Sequence, residues 1–297
     1  MSANLPTFYV EQYSTNVQLL LQQKGSRLRG AVMTGSHVGK QASPVDQIGA
    51  ITAQKVTSRF GPMGRVDAPL DRRWVFPVDY DLPQLIDSFD KLRLLTDPSS
   101  SYVTNATYAM GRAQDDEIIA AFFATAKTGV QGGTDTTFDT ANQTVSVNEG
   151  GSASNMNVAK LRAGKKILMA NEVDLDNDPI YCVITAEEHD SLLNEVQIVS
   201  TDFNDRPILV DGKVTRFLGI NFLHCERLQT GTDDAAGTST MVPMFAKSGM
   251  YMGEWNGISS DISQRKDLQG LPWQAYCYGT FGATRLEEKK VVRVWCR

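Results

Sequence analysis

The chain has 297 residues, 41% hydrophobic and 21% charged, with a formal net charge of −5. That is enough chain for one large or two ordinary domains with a substantial core, and the acidic balance excludes wholesale affinity for nucleic acid. Four scattered cysteines (Cys182, Cys225, Cys277, Cys296) without a CxxC pair exclude a zinc ribbon and a disulfide framework, and no apolar run nears the roughly 18 residues of a membrane span.

The N-terminus lacks the basic and apolar regions of a signal peptide, so the expectation is a cytosol-like compartment with reduced thiols. Charge is uneven along the chain. Residues 1–73 hold nine Lys or Arg against four Asp or Glu, a net of +5, which leaves −10 for the rest of the total of −5. A basic arm suits nucleic acid or an acidic protein surface, or is simply a solvated face.

In chain order, residues 7–23 place Val10, Tyr13, Val17, Leu20 and Leu21 at helical spacing, with Gly25 as the stop. From Gly25 to Gly49, five glycines and little periodicity predict an extended strap, whose Leu28, Val32, Val38, Val45 and Ile48 favour docking on another surface. Ala50 to Tyr80 reads as a long hairpin around Gly61-Pro62-Met63-Gly64, carrying Arg59, Arg65, Arg72 and Arg73 and returning through the apolar Trp74–Val78. Leu85, Ile86, Phe89, Leu92 and Leu95 predict a short amphipathic helix over 82–95.

The organising element is a long helix over 97–127. Asp97 can cap it, Pro98 fits its first position, and Lys127 and Gly129 close it. Its early apolar face is narrow and Ala-rich, whereas Ile118 to Ala124 is apolar all round and must be covered on more than one side. A Gly/Thr/Ser/Asn/Asp loop over 128–155 follows. Next come a helix over 157–171, a strand over 180–185, a helix over 186–196, and extended segments at 207–210, 213–218, 241–245, 273–281 and 290–295, with a loop at 230–240. The fold class is α+β.

Catalytic motifs do not stand up. Thr34–Gln41 imitates a phosphate-binding loop, but Thr34 stands where its first glycine belongs and Gln41 where Ser or Thr should hold magnesium. Asp174, Asp176 and Asp178 imitate a calcium loop, yet Pro179 replaces the turn glycine and Thr185 the bidentate glutamate. His37, His189 and His224 have no metal-ligand spacing, and His224 and Cys225, adjacent on a strand, point to opposite faces. No GxSxG elbow is present. The expectation is a non-enzyme without catalytic residue, metal or cofactor. On the long helix, Arg112 precedes Asp115 and Asp116 in the poorer order for an intrahelical pair, so these charges are read either as a solvated face or as contacts to another element or subunit.

Arm, strap, basic hairpin, long helix and β/α unit are parts built to touch neighbours. The stretches Leu21–Leu28 (LQQKGSRL), Arg59–Met63 (RFGPM), Arg72–Pro77 (RRWVFP), Asp97-Pro98, Gly111–Asp116 (GRAQDD) and Tyr278–Arg285 (YGTFGATR) occur in an order and spacing that resembles the major capsid proteins of tailed double-stranded DNA bacteriophages with the Hong Kong 97-type fold. The likeness covers nearly the whole chain.

The resemblance implies an N-arm over 1–48, an E-loop over 49–80, and a peripheral domain over 81–156 that holds the spine helix 97–127 and the loop after it. It further implies a mostly axial domain over 157–250 and C-terminal strands 251–297 returning to the peripheral domain. It implies self-assembly through hexamers and pentamers into an icosahedral virion capsid, in the bacterial host cytoplasm and away from any membrane. The implied partners are a separate scaffolding protein, a portal protein, decorating proteins and non-specifically held double-stranded DNA. Arg59, Met63, Arg65, Arg72, Arg73, Arg112, Asp115 and Asp116 are the assembly contacts it suggests. The covalent cross-linking of some members needs a Lys, Asn and acid that cannot be identified here. Competing readings are a soluble β/α enzyme with an unrecognised site and an accessory phage binding module.

Overall fold

The all-round apolar run at the end of the long helix is explained by what surrounds it: that end is wedged between two sheets. The computed structural model describes residues 22–39, 43–55, 64–86, 99–195, 198 and 214–297. Within them the long helix is α1 (Ser99–Phe123), 25 residues and about 37 Å at ~1.5 Å per residue. Its first half buries a narrow stripe through Ala106 and Met110; its second half buries Ile118, Ile119, Ala121 and Phe122.

One wall is a four-stranded sheet of β1 (Met33–Ser36), β4 (Val78–Ile86), β13 (Met250–Gln264) and β14 (Trp273–Arg285), in the order β1-β13-β14-β4. The α1 helix lies mainly on β14, where Gly279 lets Met110 approach, and Tyr80 of β4 stacks on Phe281 at 4.9 Å. The other wall is a seven-stranded sheet. It contains β7 (Thr144–Val145), β8 (Ile180–Ile184), β9 (Arg216–Phe217), β10 (Ile220–His224), β11 (Thr230–Thr232), β12 (Thr238–Ala246) and β15 (Val291–Cys296). Its main path runs β7-β15-β12-β8-β10-β9, with β11 paired to β12. Phe245 on β12 meets Phe122 of α1 with ring centres 4.6 Å apart, which joins this sheet to the helix core.

The opposite face of the seven-stranded sheet carries Cys182, Met244 and Val292, in register across β8, β12 and β15. It is covered by α2 (Val158–Ala170) and α3 (Ala186–Leu193), whose Leu161, Leu168 and Leu192 join the same core. Gly164 allows α2 to approach closely, since a Cβ there would lie 2.9 Å from the Met244 sulfur. The Asn157 side chain caps α2 through the Lys160 N–H, and Thr185 with Glu188 forms a capping box on α3. A smaller sheet, β2-β3-β5-β6, is built from β2 (Ser43–Ile48), β3 (Leu70–Val75), β5 (Ala126–Thr128) and β6 (Thr134–Thr136).

Several elements differ from the sequence expectation. Residues 78–86 form a strand where a helix over 82–95 was expected. Tyr80, Leu82, Gln84 and Ile86 face inward at a spacing of two, and Pro83 is tolerated because β4 is an edge strand that need not donate there. Residues 87–98, including the Asp97 and Pro98 start signals, lie outside the described residues.

The long helix stops at Phe123, short of Lys127, because Lys127 and Gly129 belong to the β5–β6 hairpin: Lys127 pairs with Asp135 at 2.5 Å, and Gly129 and Gly132 have φ of 86° and 71°. The paired part of the 50–80 hairpin begins earlier, with Ser43↔Val75 through Ile48↔Leu70, and Val78–Tyr80 leaves it for β4. The loop over 230–240 is largely a ladder, Thr230↔Thr240 to Thr232↔Thr238. Of the C-terminal strands, β13 and β14 lie beside α1 whereas β15 sits in the seven-stranded sheet. The arm over 7–21, the hairpin tip with Arg59 and Met63, and the segment 207–210 are outside the described residues.

Candidate assembly surfaces

Two knots of buried charge organise the surfaces around α1. The first lies where the strap crosses the helix. Gly111 on α1 faces Gly25 so closely that a Cβ would sit 2.6 Å from the Gly25 Cα and 2.7 Å from the Ser26 nitrogen, so only glycine permits the crossing. One turn further, the buried Asp115 carboxylate accepts from the Ser26 hydroxyl at 2.5 Å, the Gln23 amide at 2.5 Å, and the backbone N–H groups of Arg27 (3.0 Å) and Leu28 (3.1 Å). Charged acceptors with several donors are strong anchors, and here they pin an irregular segment that has no ladder of its own until β1.

Arg112 donates to Gln22 and to the Gln23 carbonyl, and Asp116 binds Arg227 through both carboxylate oxygens. The charges on α1 therefore meet other elements of the same chain rather than each other. Arg27 continues the network by donating to His224 Nδ1 at 2.8 Å and to its carbonyl at 2.9 Å. Since Nδ1 accepts, the ring proton is on Nε2, 2.6 Å from Glu226. Cys225 beside it is buried on the opposite face.

The second knot lies at the base of the basic hairpin. Arg73 is buried and donates to the Leu286 carbonyl at 2.8 Å and to Glu288 at 2.6 Å. Glu288 also faces the Arg285 Nε at 3.5 Å, and Arg285 reaches the carbonyls of Phe122 and Ala124 at 2.7 and 2.9 Å. Two guanidiniums thus share one carboxylate, and the C-terminal carbonyls of α1 supply the remaining negative pole. Neighbouring contacts are Trp74 Nε1 to the Gly129 carbonyl at 2.7 Å and Arg72 to Asp46 at 2.6 Å; Arg65 pairs with Asp67 at 2.7 Å in the exposed arm.

Beyond this base the arms are exposed. Gly49 N–H still bonds to the Pro69 carbonyl at 2.7 Å, but Ile48 and Leu70 are 76% and 77% exposed, and Ile51 and Val66 are also open to solvent. Arg59 and Met63 fall outside the described residues. Sequence reasoning did not single out Arg227 or Glu288; Ser26 and Arg285 were visible only as members of the Leu21–Leu28 and Tyr278–Arg285 stretches.

The imitations of ligand sites have structural explanations. Thr34–Ser36 lies in β1, where Gly35 leaves room for the Tyr251 hydroxyl, 2.0 Å from where a Cβ would lie. Asp174 closes a turn by accepting from the side chain and backbone of Asn177 and from the backbone of Asp176, contacts that hold its carboxyl below the usual carboxylate range, and Asp178 binds Ser248. Among the described residues no cluster of three or more His, Cys, Asp or Glu is arranged to hold a metal. Lys160, fully buried, donates to the carbonyls of Ser154 and Trp295 at 2.5 and 2.8 Å, a structural tie between α2 and the last strand.

A long helix laid on a sheet with a long β-hairpin, a second sheet carrying two helices, and extensions without a core of their own define a shell-forming structural protein of the Hong Kong 97 type. Residues 5–297 match the model of the phage capsid protein family, and the chain belongs to that family. Among solved structures it is similar to the capsid of Cyanophage P-SCSP1u, with a TM-score of 0.74, 11% identity, and coverage of 100% of this chain and 95% of that one. The capsid of Cyanophage Pam1 gives 0.73 at 10% identity, covering 96% and 95%. The acid-stable capsid of Helicobacter pylori bacteriophage KHP30 gives 0.70 at 10%, covering 96% and 95%. At such identities the likeness speaks for the fold alone. No curated protein matches the chain.

Proposed function

We propose that this capsid protein closes into an icosahedral shell of hexamers and pentamers around double-stranded DNA, and that the hairpin built on β2 and β3 is the arm by which each subunit grips the next. The observation that carries this reading is the row of exposed apolar side chains, Ile48, Ile51, Val66 and Leu70, on arms whose base is clamped by buried charge. An isolated two-stranded hairpin is marginal in water, so a neighbouring copy is its natural support. Residues 1–48 serve as the N-arm, 49–80 as the E-loop, 81–156 apart from β7, with strands 250–264 and 273–285, as the peripheral domain, and 157–249 with β7 and strand 291–296 as the axial domain.

Arg59, Met63, Arg65 and Arg72 are the hairpin's candidate contacts to a neighbour. Arg73, Arg112, Asp115 and Asp116 set the angle of hairpin and strap from within the subunit. The basic first 73 residues suit packaged DNA or acidic partners, and scaffolding, portal and decorating proteins complete the assembly in the host cytoplasm. Replacing 58–66 by a short Gly/Ser turn should leave a soluble, cooperatively melting subunit that no longer sediments as shells under conditions in which the intact chain does. Closed shells from the shortened protein would end the grip assignment.

A further inference from the structure

The two helices on the outer face of the seven-stranded sheet are charged with opposite sign. Helix α2 contains Lys160, Arg162, Lys165 and Lys166 and no acid, whereas α3 contains Glu187, Glu188 and Asp190 and no Lys or Arg. Three of these charges are used inside the subunit. Lys160 holds the Ser154 and Trp295 carbonyls, Lys165 the Leu218 carbonyl at 2.7 Å, and Glu188 closes the capping box with Thr185. Arg162, Lys166, Glu187 and Asp190 remain, all exposed; Asp190 accepts from the Asn194 amide at 3.3 Å, and none of the four has an oppositely charged partner among the described residues.

Helix dipoles do not account for this. Glu187 in the first turn of α3 is favoured there, but Arg162 sits in the N-terminal half of α2, where positive charge is disfavoured, and one turn before a like charge at Lys166. The two helices share one sheet face yet do not neutralise each other. A surface with one positive and one negative ridge is self-complementary under a head-to-tail rotation, which repeats a single contact around a closed ring.

Resting on the shell reading, we infer that α2 of one subunit docks through Arg162 and Lys166 against Glu187 and Asp190 on α3 of the next copy, forming the ring contact of the axial units. The partner is a second copy of this chain. Nucleic acid would engage the basic ridge but would leave the acidic ridge opposed to its own charge.

The test is charge exchange in the full-length chain. Variant one carries Arg162→Glu and Lys166→Glu, variant two Glu187→Lys and Asp190→Lys, and variant three all four. Thermal melting checks the fold, and sedimentation with negative-stain microscopy reads rings and shells. Variants one and two should each lower assembly yield by about tenfold or more, because like charges would then face each other, and variant three should return it to within about twofold of wild type. If a reversal impairs folding, Arg162→Gln with Lys166→Gln must still lower the yield. Normal assembly by the reversals, failure of variant three to recover while folded, or loss of DNA retention with assembly intact in variant one would each overturn the ring contact. A wild-type chain that forms no closed particle would instead defeat the shell reading itself.

Discussion

The guanidinium of Arg285 caps the long helix by donating to the carbonyl of Phe122 at 2.7 Å, from a position fully buried between two sheets. The same side chain faces Glu288, which binds Arg73 at the hairpin base. The end of the helix and the root of the arm are therefore held by one charge group, and a change at either is felt at the other.

Replacing Arg285 by Met removes one partner of a buried cluster and leaves Glu288, Phe122 and Ala124 short of donors. The cost should be about 3–5 kcal/mol, read as a lower melting temperature or denaturant midpoint. Arg285→Lys should recover only a small part of it, because an ammonium cannot serve two carbonyls and a carboxylate in a fixed plane. A lysine variant as stable as wild type would show that the cap is dispensable.

At the strap crossing, Asp115→Ala strips four donors of their acceptor and should cost roughly 2–3 kcal/mol. Gly111→Ala forces the Gly25 backbone away without touching that carboxylate. Both should raise amide exchange in residues 22–36 well before the sheets are affected. Uniform exchange changes across the protein would contradict a local docking role.

Tyr80 links β4 to α1 through its hydroxyl, which donates to Glu117 at 2.5 Å. Burial first, and then Glu117, raise its pKa to about 12 from an ordinary 10. A phenol whose folded value is raised is favoured neutral, so its contribution is complete below pH 10 and is lost as pH rises through about 12. After allowance for its partial exposure this is worth roughly 1–2 kcal/mol. Melting curves of wild type and Tyr80→Phe should therefore converge between pH 10 and 12, and a constant gap would refute the linkage.

The excess positive charge of residues 1–73 should make assembled shells sensitive to salt. Screening lengths fall from about 10 Å at 0.1 M to about 3 Å at 1 M, so light scattering should report weaker particles as salt rises over that range. Shells indifferent to salt would leave the +5 against −10 division without a role.

What could be read in the sequence was local. The helix behind the Asn157 cap and the strand–helix unit at Thr185 announce themselves through residues three or four positions apart, and both lie close to where periodicity puts them. Residues 82–86 of β4 were misread as the start of a helix because Leu82, Leu85 and Ile86 satisfy helical spacing as well, and only their pairing with β14 decides the matter. Strand β13 gave no signal: Ser259, Ser260, Asp261 and Ser263 are polar, and their order comes from Tyr278 through Gln274 opposite them. The same holds for the charge knots. Asp115 and Asp116 stand out on the helix, but Ser26 lies 89 residues away and Arg227 lies 111 away, a distance no spacing rule spans.

Pairing of Met33 with Tyr251 and Ser36 with Glu254 has a consequence for synthesis. The strap emerges from the ribosome first, yet the strand it lies beside is more than 200 residues downstream; at about 5–20 residues per second that partner arrives roughly 10–40 s later. During this interval the basic N-terminal segment has neither β13 nor β14 to rest against. Nascent chains stalled before residue 250 should therefore be cut by protease within 33–36, whereas chains extended past 285 should be protected there. The timing of translation itself keeps the arm open until the rest of the subunit is complete.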